Sequence, residues 1–270
     1  MKKRMTPNQQ PYINASGTVC VDWLSPDHAR LELNRPAQHN ALGLDELEGL
    51  SRAATYLKQA NPKVLTVLAQ GSNFGVGGDI HAFAQAISDR QIEDWLRQAI
   101  GHYNKAILQL RSLETAVVVG VQGACAGGTL GLIWCADHVI FTQDTSISMA
   151  YAKLGGSPDG GTSWLLPRLV NPLRAFELFT LKSTLKAQQA LDWGLVNQVV
   201  SNESLHDCVN TVAKQWMNLP GQSLKNIKQL TRSALNQDLE THLMQELEGF
   251  VLASQQPDFA ERVMKFSQSN

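Results

Sequence analysis

The feature that most constrains the fold is a pair of glycine-rich segments, residues 71–79 and 123–128, each of which follows an apolar run. Neither segment can form a regular helix or strand, because closely spaced glycines favour loops with unusual backbone angles. The preceding runs, residues 64–69 and 116–121, are short and rich in valine and leucine, which is typical of buried strands. Strands that alternate with helices through such loops predict a layered α/β domain.

The periodicity of the remaining chain predicts further elements around this pair. Apolar residues alternate along candidate strands and recur every three or four positions along candidate helices. The predicted strands are 18–24, 29–34, 139–142 and 146–149, and the predicted helices are 44–60, 88–112, 129–136 and 163–169. We divide the chain into a flexible segment 1–14, a core domain 15–201 and a C-terminal helical region 202–270, expected to pack on its own domain or on a neighbouring subunit.

Charge and cysteine content exclude several classes of function. The net charge is -1, whereas a nucleic-acid-binding protein usually carries a basic excess or a basic stripe. The four cysteines are far apart and form no CxxC pair, so we expect neither a disulfide framework nor a metal site. No run approaches the roughly 18 apolar residues of a membrane span, and no apolar segment follows the basic start of the chain. These features favour a cytoplasmic protein.

The two glycine-rich segments can also serve chemistry, since each can direct backbone N–H groups towards a common point. Two such amides can hold a developing oxyanion, and we take the N–H groups of Val76 and Gly128 as the candidates. Each loop taken singly is better explained as a tight turn or as close packing than as a site. Neither segment contains the full GxGxxG pattern of a dinucleotide-binding site.

Five motifs in order carry a resemblance to a known family. They are LNRPAQHNAL (33–42), NFGVGGDI (73–80), GVQGACAGGTLGLIWCAD (120–137), KLGGSPDGGTSWLLPRLV (153–170) and LDWGLVNQVV (191–200). Together they resemble the crotonase superfamily, also called the enoyl-CoA hydratase/isomerase family, over residues 15–265. The resemblance implies a crotonase-like spiral of ββα repeats with a C-terminal helical region, assembled as a trimer or a dimer of trimers. It also implies an acyl-CoA thioester substrate, an enolate held by two amides, and no separate cofactor.

The chain departs from the family's hydratases at two positions. The resemblance implies that the two water-handling glutamates correspond here to Gly131 and Tyr151. Neither residue can act as a carboxylate base, so we do not expect ordinary hydration of a 2-enoyl-CoA.

Asp159, in the sequence Ser-Pro-Asp-Gly-Gly, is the remaining candidate for proton transfer. Pro-Asp-Gly is also a common turn sequence, in which the aspartate bonds its own backbone. The surrounding segment is similar to enoyl-CoA isomerases, and above all to the epoxyphenylacetyl-CoA isomerases of phenylacetate catabolism. A double-bond shift needs one positioned base, which requires a raised pKa to work near neutral pH. Phe74, Tyr151 and Trp164 are candidate wall residues for such a pocket.

The resemblance also implies a set of substrate- and CoA-binding residues. Arg35 is expected near the nucleotide end, and Asp79 is either an acidic binding residue or the N-cap of a helix. Tyr151 is either a hydrogen-bond donor to substrate or a buried aromatic residue. The full expected set is Arg35, Ala37, Gly77, Asp79, Ile80, Gly127, Tyr151 and Trp164.

Several other functions stay open at this point. Within the superfamily, an active-site aspartate also serves a CoA dehalogenase and a ring-closing synthase. The dehalogenase additionally needs a histidine base, for which His102 is a weak candidate. A silent CoA-binding subunit is the alternative from another class. The leading prediction is an enoyl-CoA isomerase, acting in fatty acid metabolism or phenylacetate catabolism.

Overall fold

The computed structural model describes residues 9–182 and 184–268, and its strands fall into two sheets. The strands are β1 (Tyr12–Ile13), β2 (Val19–Ser25), β3 (His28–Leu33), β4 (Val64–Ala69), β5 (Ala116–Val121), β6 (Ala124–Ala126), β7 (His138–Thr142), β8 (Ser146–Ser148), β9 (Thr184–Lys186) and β10 (Gln198–Val200). Short 3₁₀ turns cover Pro36–Gln38, Ala152–Leu154 and Asn202–Ser204.

Helices lie between the strands and make up almost all of the C-terminal region. They are α1 (Leu44–Ala60), α2 (Ile80–Ser88), α3 (Ile92–Arg111), α4 (Thr129–Trp134), α5 (Thr162–Val170), α6 (Pro172–Thr180), α7 (Ala187–Asp192), α8 (Leu205–Met217), α9 (Gly221–Ser233), α10 (Leu239–Ser254) and α11 (Pro257–Gln268). None of the helices in the described part of the chain is both long and apolar enough to cross a membrane.

The larger sheet has the strand order β1-β2-β3-β4-β5-β7-β10 among the described residues. Its first three strands pair antiparallel, and β3, β4, β5, β7 and β10 run parallel. Every residue of β4 and β5 is buried, because helices or the second sheet cover both faces of the parallel region. The second sheet has the order β6-β8-β9 and follows the second glycine-rich segment. The predicted α/β fold with a helical C-terminal region is confirmed.

The structure corrects two boundaries predicted from the sequence. The segment predicted to be flexible, residues 1–14, is ordered at its end, because Tyr12–Ile13 pairs with β2 and the Asn14 side chain accepts hydrogen bonds from the Thr18 and Val19 amides. Residues 1–8 lie outside the described residues. The helix predicted over residues 88–112 is observed as α3 but begins four residues later, at Ile92, and the helix α2, residues 80–88, was not predicted. The chain turns between them at Arg90, which adopts a φ of 58°.

The last two helices contact little of the core. No residue of α10 or α11 is buried, and these helices expose large apolar side chains, among them Leu247, Phe250, Val263 and Phe266. The preceding helix α9 is held by ion pairs: its Lys228 and Arg232 each lie 2.7 Å from the carboxylate of Asp137.

Candidate active site

Asp159 lies in the loop between β8 and α5, and its backbone forms the turn that starts the helix. The Asp159 carbonyl accepts hydrogen bonds from the Thr162 amide at 3.0 Å and the Thr162 hydroxyl at 2.8 Å. The next two residues, Gly160 and Gly161, adopt φ values of 56° and 77°, which glycine adopts without strain. The backbone therefore forms the predicted turn, and a hydrogen bond from its own backbone also lowers the pKa of the Asp159 carboxyl group, against the larger effect of burial.

The Asp159 carboxyl group faces a small cavity of about 30 Å³. Asp159, Tyr103 and the glycines Gly78 and Gly128 are among the residues that line it. Its apolar lining consists mainly of Leu42, Leu47, Phe83, Trp95, Leu96 and Ile100. A Cβ atom placed on Gly128 would lie 3.3 Å from Oδ1 of Asp159, so the carboxyl group directly adjoins the second glycine-rich segment.

The surroundings of the Asp159 carboxyl group shift its pKa in the direction that a general base needs. Burial raises the pKa of Asp159, and a hydrogen bond from the Tyr151 hydroxyl at 2.9 Å partly opposes this effect. Burial also raises the pKa of Tyr151, so its phenol stays protonated and donates to Asp159. The Tyr151 and Thr162 hydroxyl oxygens lie 3.4 Å apart. Tyr151 thus contacts the predicted base, and its role in substrate binding stays a prediction.

The structure corrects one of the two predicted amide donors. The Val76 N–H donates to the His39 carbonyl at 3.2 Å and is therefore already used. Two residues further on, Gly78 lines the cavity opposite Asp159. No described residue accepts a hydrogen bond from the N–H of Gly78 or from that of Gly128. Gly78 and Gly128 are therefore the candidate amide donors that the geometry favours.

A residue that the sequence did not single out, Tyr103 of α3, holds the second donor in place. Its hydroxyl donates to the Gly128 carbonyl and accepts a hydrogen bond from the Leu132 amide at 3.1 Å. The side chain is 2% exposed, and burial raises its pKa well above the usual value. The sequence shows Tyr103 only as one of many apolar positions on a helix face, so no sequence signal separates it from its neighbours.

Gly131 of α4 lies against the loop that carries Asp159. A Cβ atom at this position would lie 2.1 Å from the Gly160 carbonyl oxygen, well inside contact distance. The space that a larger side chain would occupy is therefore filled by loop backbone. This position and Tyr151 are the two at which the resemblance implies a missing glutamate.

Three of the predicted binding residues lie elsewhere or are already bound. Arg35 forms an ion pair with Asp79 at 2.8 Å and donates to the Ala41 carbonyl, so its Nη1 group is already bonded within the chain. Asp79 is the N-cap of α2 and accepts from the His81 and Ala82 amides.

Burial raises the pKa of Asp79, but the hydrogen bonds from Arg35 and from the two α2 amides outweigh that effect and lower it overall. Asp79 therefore stays ionised and helps to fix the glycine loop before α2.

Trp164 does not line the cavity and is 40% exposed on the outer side of α5. Two guanidinium groups lie over its ring, with the central carbon of Arg168 at 3.7 Å and that of Arg111 at 4.9 Å from the ring centroid. Phe74 is fully buried in the core and is likewise absent from the cavity lining. Neither aromatic residue is a wall of the candidate site. The side chains that fill this role, Phe83 and Trp95, come from α2 and α3.

The remaining predicted residues lie around the two glycine-rich segments. Gly77 and Gly127 pack backbone against backbone, since a Cβ on Gly77 would lie 3.4 Å from the Gly127 Cα. Ile80 is 51% exposed at the start of α2, and Ala37 is exposed in the first 3₁₀ turn. His102 of α3 is not among the residues that line the cavity. No group of three or more metal-ligating side chains occurs within 9–182 and 184–268.

The fold agrees with the comparisons with known proteins. Residues 28–269 match the family model described as enoyl-CoA hydratase/isomerase, and the chain belongs to this family. It is 32% identical over 246 residues to a 1,2-epoxyphenylacetyl-CoA isomerase of Escherichia coli, covering 87% of this chain and 90% of that protein.

Two further relatives span almost the whole chain. A 4-chlorobenzoyl coenzyme A dehalogenase of Arthrobacter is 26% identical and covers 97% of this chain and 92% of that protein. A crystal structure of a candidate enoyl-CoA hydratase/isomerase from Mycobacterium abscessus superposes with a TM-score of 0.86 at 30% identity, over 93% of this chain and 97% of the other.

Proposed function

We propose that this protein is an enoyl-CoA isomerase in which Asp159 moves the proton. The observation that carries the proposal is the position of a buried carboxyl group beside two unused glycine amides in one apolar cavity. Asp159 removes a proton from C2 of a 3-enoyl thioester, and the electrons shift towards the thioester oxygen. The same carboxyl group returns the proton at C4, so the 2-enoyl product forms without net gain or loss of atoms.

The proposed oxyanion forms on the thioester oxygen, where the N–H groups of Gly78 and Gly128 would hold it. Amides fixed before the reaction stabilise such a charge without having to reorient, and loss of one donor typically costs about 3–4 kcal/mol of transition-state stabilisation. Tyr103 supports this role because it fixes the Gly128 carbonyl from the other side. The proposed reaction only moves a proton, so it requires no metal, nicotinamide or flavin.

The acyl group needs more room than the cavity provides in its present form. A space of about 30 Å³ takes roughly one water molecule. Phe83 of α2 and Trp95 of α3 close it with their rings, whose centroids are 4.8 Å apart. We infer that substrate enters as these two side chains separate, so that α2 and α3 set the length of the accepted acyl chain.

The direct test follows conversion of a 3-enoyl-CoA to the conjugated 2-enoyl-CoA by ultraviolet absorbance, with crotonyl-CoA hydration measured in parallel. We expect conversion by the wild type and a loss of about 10²–10⁴-fold in Asp159→Asn, the usual contribution of a positioned base. Hydration without isomerisation would contradict the proposal. Gly131 and Tyr151 support the expected absence of hydration, because neither side chain carries a carboxylate.

A dehalogenase is the second candidate, favoured by the Arthrobacter relative. In that reaction the aspartate would attack an aryl carbon, and a histidine base would activate the hydrolytic water. The absence of His102 from the cavity lining argues against it. Chloride release from an aryl-CoA halide separates the two reactions.

A silent CoA-binding subunit would show no exchange of the acyl α-hydrogen with deuterated solvent, whereas an isomerase would.

Assembly as a trimer or a dimer of trimers and action in the cytoplasm remain part of the proposal. The apolar faces of α10 and α11 support the assembly.

A further inference from the structure

A second and larger cavity lies between α9 and the outer side of α3, α4 and α5. Its volume is about 400 Å³, which falls within the range of ordinary small-molecule sites. It shares no lining residue with the cavity that contains Asp159. The ion pairs from Asp137 to Lys228 and Arg232 hold α9 over this space. The cavity is therefore a separate feature of the fold.

The lining carries more positive than negative charge. Four cationic side chains and one carboxylate line the cavity: Arg111, Arg168, Lys228, Arg232 and Asp137. Asp137 already pairs with Lys228 and Arg232. Neither Arg111 nor Arg168 forms an ion pair with any residue in the described part of the chain.

These two arginines lie on one aromatic ring. Arg168 stacks on Trp164 and donates to its carbonyl at 2.9 Å, and Arg111 lies over the same ring. Arg111 is half-buried, and its guanidinium donates no hydrogen bond to any described residue. Burial and the nearby charge of Arg232 lower the pKa of Arg111. An anion between the two guanidinium groups would supply both the missing charge and the missing acceptors.

An unpaired donor provides a second, independent observation. Trp134 lines the cavity, is 4% exposed, and its indole N–H finds no acceptor among the described residues. Buried N–H groups are almost always bonded, so an orphan beside a cavity points to an acceptor that comes from outside the chain. The rest of the lining is largely apolar and includes Leu165, Trp216, Ile227 and Leu235.

We propose that this cavity binds an amphipathic carboxylate, with the carboxylate between Arg111 and Arg168 and an acyl or arylalkyl body against the apolar wall. The planar guanidinium groups match a carboxylate, and tryptophan and leucine side chains match a hydrocarbon body. An inorganic anion would satisfy the arginines but leave that wall in contact with water. The site is independent of the proposed isomerase reaction.

Titration calorimetry of the full-length protein with octanoate tests the proposal. We expect one saturable site per chain, with binding at least tenfold weaker for 1-octanol, which lacks the charge. Arg111→Gln and Arg168→Gln should each weaken octanoate binding about tenfold or more, as expected for lost charge-assisted bonds. The matched control is Arg97→Gln on the same helix as Arg111, where the exposed side chain pairs with Glu93, and it should bind normally. Thermal melts establish that each variant is folded.

Several outcomes would overturn the proposal. Absence of saturable binding, or equal binding of octanoate and 1-octanol, would remove the carboxylate site. Equal affinity for inorganic phosphate would make the cavity a simple anion site. Loss of octanoate binding in Asp159→Asn, with normal binding in Arg111→Gln, would place the octanoate in the other cavity. Isomerase activity is a separate measurement, so either proposal can fail without the other.

Discussion

The Tyr151 hydroxyl donates a hydrogen bond of 2.9 Å to Oδ1 of Asp159, which links the two candidate residues of this site that titrate. The bond is made to the ionised carboxylate and therefore stabilises it. Burial acts in the opposite direction and dominates, so the pKa of Asp159 remains above the ordinary value of 3.8. Burial and the Tyr151 hydrogen bond shift the pKa of Asp159 in opposite directions, and substitutions can separate the two effects.

Replacing Tyr151 by phenylalanine removes the opposing hydrogen bond and should raise the pKa of Asp159 further. A base works only when it is ionised, so activity falls as the pH drops through that pKa. The acid limb of the pH–rate profile should therefore lie above pH 3.8 in the wild type and higher still in Tyr151→Phe. An acid limb that stays in place, or moves to lower pH, would show that this hydrogen bond does not tune the base.

Replacing Asp159 by asparagine should stabilise the protein while it abolishes the proposed reaction. When folding raises the pKa of a carboxyl group, the folded protein loses stability as the pH rises from 3.8, the unfolded pKa, through the pKa in the folded protein. The loss is complete above both pKa values. The asparagine variant avoids this loss, so its melting temperature should exceed that of the wild type at pH 7. The difference should vanish near pH 3. Equal melting temperatures at pH 7 would contradict a buried, ionised Asp159.

Gly131→Ala should disturb the Asp159 loop, because the new Cβ would lie 2.1 Å from the Gly160 carbonyl oxygen. Overpacking of this kind typically costs about 1–3 kcal/mol, and the shift of the loop should reduce activity as well. Gly101→Ala is the matched control, since its Cβ would meet no atom within 4 Å. In the middle of α3 that change should stabilise the helix by about 0.8–1.0 kcal/mol. Denaturant unfolding and the isomerase assay measure both effects.

Asp137→Ala should strongly destabilise the packing of α9 on the core. Removing the carboxylate leaves Lys228, which is 9% exposed, and Arg232 without their shared partner, and such a loss typically costs about 3–5 kcal/mol. Glu93→Ala breaks an exposed pair with Arg97 and should change stability by less than about 1 kcal/mol. Urea unfolding of both variants gives the comparison. Similar free energies of unfolding for Asp137→Ala and Glu93→Ala would mean that the ion pairs of Asp137 stabilise the protein no more than an exposed ion pair does.

The sequence predicted those elements whose signals are local. Helix α1 has the predicted bounds because its apolar stripe is regular. Its first turn is also stabilised by Glu46, whose carboxylate accepts a hydrogen bond from the Gly43 amide. The bounds of strands β4 and β5 were also predicted, since each strand is a short apolar run followed by a glycine-rich loop. The start of α3 at Ile92 and the separate helix α2 before it were not predicted, because the turn between them is made at Arg90, a non-glycine residue with positive φ that leaves no compositional signal.

The site could be predicted only in part, for a related reason. Glycine spacing shows where amides can be exposed, but it does not show that the Val76 amide already pairs with the distant His39 carbonyl. Likewise, Trp164 and Tyr103 are both aromatic residues of helices, and only the packing of α3 and α5 shows which one faces the cavity. Each of these errors arose because the position of the residue depends on contacts with distant parts of the chain.

The contact between Gly131 and the Gly160 carbonyl also limits how this chain can diverge. A glutamate at position 131 needs the same volume that the loop backbone now fills, so a single substitution at that position cannot supply a second carboxylate to the present site. The loop that carries Asp159 would have to move first, and that movement would displace the proposed base. A carboxylate at position 131 and the present position of Asp159 therefore exclude each other in this backbone.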